Sequence, residues 1–370
     1  MVLDEIQKQD SFAIYGAQVI AFGAYTAING LTGRKPDFFV VGSRDAKPQE
    51  GLNGNLEVID GIEVCHIDAC PKDMFILVAV TELVQKEVIP FLKDNGYTNF
   101  LALTQYEEHV LMSKYYENIG RFPTLEALRG LSPDCSDWTK ARASARELDL
   151  RMYEVCNHRD SILSSKPSLK EYEYPIQAGA ALSDKEITEL KDNTGDNISL
   201  KNRQYCEMTA SYWVWKNIKC GWKGIEHYRR HLLVRPELLR NDVDVVLPLP
   251  YICYPSELYQ FGRFVREDVR KALFTALKHV HPDEYDDYLK VLNGPYQYTY
   301  NMVCARNDVF DEYCRWFFEI TGYMETMQGD VPDIRDTRAL SYVAEVLTNI
   351  YFMTNPAGLK IYHVQKEIYV

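Results

Sequence analysis

Short apolar runs separated by helical patterns dominate the first hundred residues. Phe12–Tyr15 reads as a strand running into Gly16, and a helix is expected from Ala17 to Asn29, around Gly23. Phe38–Val41 predicts a second strand ending in Gly42-Ser43. Met74–Val80 predicts a third and Asn99–Leu103 a fourth, with an amphipathic stretch, Leu83–Asn95, between them. Strands alternating with helices predict a parallel sheet of Rossmann-like topology. A polar helical stretch, Glu107–Gly130, leads into Leu131-Ser132-Pro133-Asp134, whose turn residues mark a linker, and a helix is expected from Trp138 to Glu147. Leu150–Cys156 then reads as a new strand, after which Tyr, Trp, His and Arg become frequent. The expected organisation is α/β: a Rossmann-like accessory domain over 1–125, a helical linker over 126–146 and a second α/β domain over 147–370.

Length agrees, since 370 residues exceed the ~100–200 of a typical domain. Each half is large enough to bury a core without disulfides. Lys plus Arg is 41 against 53 for Asp plus Glu, a net charge of −12. Such a surface disfavours nucleic acid, which needs a phosphate-neutralising basic face, but leaves room for local basic sites. The longest apolar run, Met74–Val80, is far short of the ~20 residues of a membrane-spanning helix. Met1–Asp10 lacks the apolar core of a signal peptide, and nine scattered cysteines with no C-x-x-C read as free thiols. The expectation is a cytoplasmic chain, with at most peripheral contact at the inner face of the membrane. Arg235, Arg240 and the Arg263–Arg270 stretch are the basic residues for such contact, though charges like these usually form a solvated face.

Glycine placement argues against a nucleotide in the first domain. Gly16-x6-Gly23 is not G-x-G-x-x-G, and Gly42-Ser43-Arg44-Asp45 stands where an acidic residue would close the second strand. Close packing is the better reading of these glycines, and an NAD-linked enzyme is disfavoured. Four clusters in the second domain carry more chemistry. Glu154-Val-Cys-Asn-His158-Arg159 leaves a strand, where open α/β sheets bind ligands. Asp192-Asn-Thr-Gly-Asp196-Asn197-Ile-Ser199 has turn and capping residues. Tyr205–Asn217 places Glu207, Ser211 and Trp215 on neighbouring helical turns, and a buried carboxylate there needs a partner. Gly224-Ile-Glu-His227-Tyr-Arg229-Arg230-His231 concentrates cations in an acidic chain, and arginine forks bind phosphate oxygens bidentately. Asp242-Val-Asp244 is rejected as a metal-binding D-x-D because it precedes its strand rather than leaving it.

Taken in order, Asp192–Ser199, Tyr205-Cys-Glu-Met-Thr-Ala210, Tyr212-Trp-Val-Trp-Lys-Asn217 and His227-Tyr-Arg-Arg230 resemble a bacterial glycosyltransferase family of capsule and O-antigen gene clusters. That family was long a domain of unknown function and has a galactofuranosyltransferase member. Asn301-Met302, Val309–Trp316, and Arg338 followed by Glu345 continue the resemblance, which covers roughly 150–355. It implies a GT-A-like second domain, a UDP-sugar donor (UDP-galactofuranose) and a glycan or undecaprenyl-diphosphate-linked acceptor, with inversion at the anomeric carbon. On that reading Glu207 and Glu345 are the candidate bases. His227, Arg229 and Arg230 serve the leaving diphosphate, and Asp192, Asp196 and Asn197 the donor's hydroxyls, with His158, Asn301 and Arg338 also on the donor side. The Arg/His cluster is expected to face Asp192–Ser199 across one cleft. Dependence on a divalent ion (Mg or Mn) stays open: no convincing D-x-D is present, and Arg and His can neutralise a diphosphate without a metal. Where the family has a Tyr/His-rich segment, this chain has Tyr254–Phe261, a departure bearing on the sugar or acceptor. The alternative function is a non-catalytic nucleotide-sugar or glycan-binding protein.

Overall fold

The computed structural model describes residues 2–42, 51–130, 144–165, 168–239, 242–327 and 338–370. The chain divides into two compact units, the first made of Met1–Arg121, Leu249–Phe264 and Asn293–Gln297, the second of Phe122–Pro248, Val265–Leu292 and Tyr298–Val370. The two short returns into the first unit are long-range features that one boundary drawn along the sequence does not capture.

The first unit is built on five parallel strands in the order Ile62–His66, Phe38–Val41, Phe12–Tyr15, Phe75–Val78, Phe100–Ala102. Two of the expected strands have the bounds read from the sequence, and the other two are shorter. The Ile62–His66 strand and its antiparallel neighbour Val58–Ile59 were not anticipated, because their apolar positions are too few to stand out. Gly16 has φ +124, and a Cβ there would lie 2.7 Å from the Ala79 carbonyl oxygen, so this glycine serves close packing at the strand exit. The Tyr254–Phe261 stretch belongs to this unit. The Tyr254 ring packs on Phe22, its hydroxyl accepts from the Asp60 N–H at 2.9 Å, and Asn53 Nδ2 donates to the Tyr259 carbonyl at 2.8 Å.

Helix Gln105–Asn118 is closed at its start by a capping box between Thr104 and Glu107. It ends earlier than the expected Glu107–Gly130 helix, and Leu125–Gly130 is a separate 3₁₀ turn. The Leu131–Asp134 linker and residues 138–143 of the expected second helix lie outside the described residues. Residues 145–149, within and just beyond that helix, form turns rather than helix.

The second unit carries a mixed sheet in the order Ile361–Val364, Val245–Pro248, Val303–Arg306, Trp222–His227, Leu150–Cys156, Glu173–Gln177, Leu190–Lys191. Four of these strands are parallel and end on one edge: Trp222–His227 beside Leu150–Cys156, then Glu173–Gln177, then Leu190–Lys191. Their exits carry three of the sequence clusters. Arg230–Leu232 folds back on Trp222–His227 and is paired in turn with Lys366–Ile368, so the Arg229–Arg230 turn is fixed on both sides. The helix Asn307–Thr326 buries Phe310, Tyr313, Cys314 and Phe317 fully or nearly so, a core role for a stretch that carried part of the family resemblance.

Gly224 sits in the middle of the sheet, where a Cβ would lie 2.5 Å from the Val303 carbonyl oxygen and 2.9 Å from Cys304 Cα. Backbone in a central strand cannot give way, so Gly224→Ala is expected to destabilise the second unit by ~1–3 kcal/mol. Trp213, Trp215, Trp222 and Trp316 belong to the second unit, so a lower urea midpoint in tryptophan fluorescence checks this directly.

Candidate functional site

Three of the four parallel strand ends open onto a cavity of about 370 Å³ within the second unit. Asn157–Ser161 leaves the first of these strands, Ala178 and Leu182 follow the second, and His227–Arg230 turns at the end of the last. Five arginines (Arg159, Arg203, Arg229, Arg230, Arg338) and two histidines (His158, His227) line it, against the carboxylates of Asp160 and Glu207. In a chain of net charge −12 this is a local inversion of sign. Arg229 Nε, Arg230 Nε and His158 Nδ1 are buried and make no hydrogen bond among the described residues. Each such group costs roughly 1–3 kcal/mol unless a ligand satisfies it, and arginine Nε is purely a donor. The cavity is therefore built to receive acceptor oxygens carrying negative charge.

Behind the cavity two consecutive residues hold left-handed backbone, Tyr300 at φ 70 and Asn301 at φ 51. Neither is glycine, and such a pair persists only when its surroundings fix it. The surroundings here are the candidate site. His227 Nε2 donates to the Tyr300 carbonyl at 2.6 Å, and the Tyr300 N–H donates to Glu345 Oε1 at 3.1 Å. Asn301 Nδ2 donates to Glu207 Oε1 at 2.8 Å, while Thr348 Oγ1 donates to Asn301 Oδ1 at 3.2 Å. Ser341 Oγ adds a second partner to Glu207 at 3.2 Å, and the Arg230 guanidinium lies 4.2 Å from the centre of the Tyr300 ring. Ser341, Glu345 and Thr348 recur at helical spacing, so one face of the helix Ala339–Thr354 supplies the support.

This packing sets the protonation states. Burial pushes the His227 imidazole below its ordinary value; Glu207 works the other way without reversing the shift. With Nε2–H committed to Tyr300, a neutral His227 offers the Nδ1 lone pair, so it accepts a hydroxyl proton rather than donating to a phosphate. Burial raises Glu345 to about 7, with the Glu207 charge adding to the rise and the Tyr300 N–H opposing it. Cys206, at φ 46, ends the short helix Asn202–Tyr205 and turns the chain so that Arg203 and Glu207 both reach the cavity. Its thiol is raised by burial.

Residues 152–356 match a family described as a domain of unknown function, DUF4422. The chain belongs to this family. Every cavity residue falls inside the DUF4422 match. Among solved structures, the chain is similar to the apo structure of the bifunctional glycosyltransferase WbbM, with a TM-score of 0.52 and 24% identity. The similarity covers 60% of this chain and 45% of that one, less than half of WbbM, and shows a shared α/β fold. No curated protein matches.

Of the residues singled out in the sequence, the DUF4422 cavity brings together Glu207, His227, His158, Arg229, Arg230 and Arg338. Glu345 and Asn301 stand behind it, holding the Tyr300–Asn301 turn. Asp192, Asp196 and Asn197 are not among its lining residues, which corrects the expected two-walled cleft. Asp192 is fully buried, its oxygens taking the Gly179 and Ala180 N–H groups at 2.8 and 3.0 Å and the Ser199 hydroxyl at 2.6 Å. Asp196 accepts from the Tyr212 hydroxyl at 3.1 Å, and Asn197 Oδ1 accepts from the Ser199 N–H at 3.3 Å. That loop braces the helix Met208–Asn217. Sequence reading missed Arg203, whose signal was its place four residues before Glu207, and Tyr300, which had none because left-handed backbone at a tyrosine leaves no local mark. Asp244, of the rejected D-x-D, pairs with Arg306 at 3.0 Å and accepts from the Lys360 N–H at 2.8 Å.

A carboxyl raised in the folded state binds its proton more tightly there than in the unfolded chain. Its contribution is complete below the ordinary carboxylate range and is lost as pH climbs through about 7. Wild type should therefore lose stability relative to Glu345→Gln between pH ~5 and ~8, by on the order of 2 kcal/mol. Urea titrations followed by tryptophan fluorescence across that window test it, and parallel curves for the two proteins would refute it.

Proposed function

We propose that this chain is a glycosyltransferase moving a sugar, galactofuranose, from its UDP donor to a growing surface-polysaccharide acceptor with inversion. The observation that carries this reading is the cavity lined by five arginines at the carboxyl ends of parallel strands, with unsatisfied guanidinium N–H groups beside a held carboxylate. Its volume suits the ~300–1,000 Å³ of small-molecule sites. The likeness to the glycosyltransferase WbbM and the sequence resemblance support the sugar-transfer class; the donor sugar and the lipid-linked glycan acceptor rest on the resemblance alone. No helix among the described residues is long and apolar enough to cross a membrane.

In this mechanism Glu207 is the base. Asn301 and Ser341 fix its carboxylate in the cavity wall, where it takes the acceptor hydroxyl's proton as that oxygen bonds to the anomeric carbon. The bond from that carbon to the donor's phosphate oxygen breaks, and its electron pair leaves with UDP. Arg229, Arg230, Arg338, Arg203 and Arg159 stabilise the charge on the departing diphosphate. His227, neutral and oriented by Tyr300, accepts from a sugar or ribose hydroxyl. Glu345 acts through Tyr300 as a positioning residue. A divalent ion does not fit this donor set: the carboxylates among the described lining residues are Asp160 and Glu207, Asp160 already accepts from the Asn157 N–H at 2.6 Å, and arginines surround both.

UDP release from a panel of UDP-sugars, with lipid-linked glycan extract as acceptor, tests the proposal. Glu207→Gln should lower kcat by ~10²–10⁴-fold and leave UDP affinity nearly unchanged. The Arg229→Ala/Arg230→Ala pair should weaken UDP binding at least ~10-fold, as loss of charge-assisted hydrogen bonds requires. UDP binding without turnover of any donor would instead favour a binding protein.

A further inference from the structure

Neighbouring residues of a strand point to opposite faces, and the Trp222–His227 strand and its return use both. His227 and Arg230 line the cavity. Their sequence neighbours Glu226 and His231 are 0% and 2% exposed and lie with Glu154 and Glu173, from the two adjacent strands, in a second polar cluster outside that lining. Three carboxylates converge on one imidazole there. His231 Nε2 donates to Glu154 Oε2 at 3.0 Å, which directs the Nδ1 lone pair the other way. Nδ1 then faces Glu226 Oε1 at 3.8 Å and Glu173 Oε2 at 3.9 Å.

Those gaps are too long for hydrogen bonds, so a proton on Nδ1 does not close them. Glu226 Oε1 accepts no hydrogen bond among the described residues, although its partner oxygen takes the Leu232 N–H at 3.2 Å. A fully buried carboxylate oxygen left this way is costly. An ion about 2.0–2.2 Å from each nitrogen and oxygen donor holds tetrahedral ligand atoms ~3.4 Å apart, so gaps of this size close onto it with a side-chain shift of about half an ångström. The three donor atoms lie within 4.8 Å of one another. Glu154 on the far ring nitrogen is the carboxylate that fixes the tautomer of a ligating imidazole. Lys170 pairs with Glu173 at 3.0 Å, so a divalent cation brings the cluster to formal neutrality.

We propose that Glu173, Glu226 and His231 bind one divalent transition-metal ion of the zinc class, an imidazole-plus-carboxylate set that suits such ions better than magnesium. The ion is structural. It ties Glu173, at the start of its strand, and Glu226, near the end of the Trp222–His227 strand, to the return strand from behind the turn that bears Arg229 and Arg230, and the proposal stands apart from the sugar-transfer reading.

The test is metal content. The full chain is purified from cells grown with added zinc, passed over chelating resin and analysed by plasma mass spectrometry. About one zinc per chain is expected in wild type, and at least ~10-fold less in Glu226→Gln and His231→Gln. Zinc-free wild type overturns the proposal, as does equal zinc in wild type and Glu226→Gln. Should both variants fail to fold, X-ray absorption on zinc-loaded wild type decides. A shell of one imidazole and oxygen donors upholds the site, whereas thiolate sulfur from the cysteines overturns it.

Discussion

The second unit's cavity depends on one strained turn. Tyr300 and Asn301 hold left-handed backbone without being glycine, and the hydrogen bonds that hold them come from residues of the site and of the helix behind it. The strain and the site require each other. Were the turn to relax, His227 would lose its acceptor, Glu207 its amide donor and Glu345 its backbone N–H together. A hydrogen-bond network of this kind gives the side chains one arrangement in place of several, which catalysis by positioned groups requires.

Charge is sorted by strand alternation. An acidic chain concentrates arginine at the exits of parallel strands, while Glu226, next to His227, and His231, next to Arg230, turn into a buried cluster with Glu154 and Glu173. Glu226 and His227 are adjacent yet belong to different chemistry, as do Arg230 and His231. The pairing of Arg230–Leu232 with the Lys366–Ile368 strand fixes this division, because a slip of one residue would exchange the two faces.

The first unit has the parallel sheet its apolar runs announce. Its glycines pack strand exits closely instead of forming a dinucleotide fingerprint, as the Ala79 carbonyl beside Gly16 shows. Segments 249–264 and 293–297 complete that unit, and with them goes the stretch in which the chain departs from its family pattern.

What the sequence determined by itself follows from local physics. Strands of the first sheet were legible because short β-branched and aromatic runs bounded by turn residues have few alternatives. The Arg229–Arg230 cluster and Glu207 were legible because unusual composition in an acidic chain needs a reason. Tertiary structure decided the rest. Asp192, Asp196 and Asn197 have the side chains of ligand-binding residues, but Asp192's oxygens are consumed by amides and a hydroxyl that only the folded loop brings near, while Asp196 and Asn197 hold that loop through Tyr212 and Ser199. Arg203 became a cavity residue through the backbone reversal at Cys206, and Glu345 became a raised carboxyl through burial against a turn 45 residues away in sequence. Hydrogen-bond satisfaction and desolvation are properties of a three-dimensional neighbourhood, so a residue list can name the chemistry available but not which groups are left free to perform it.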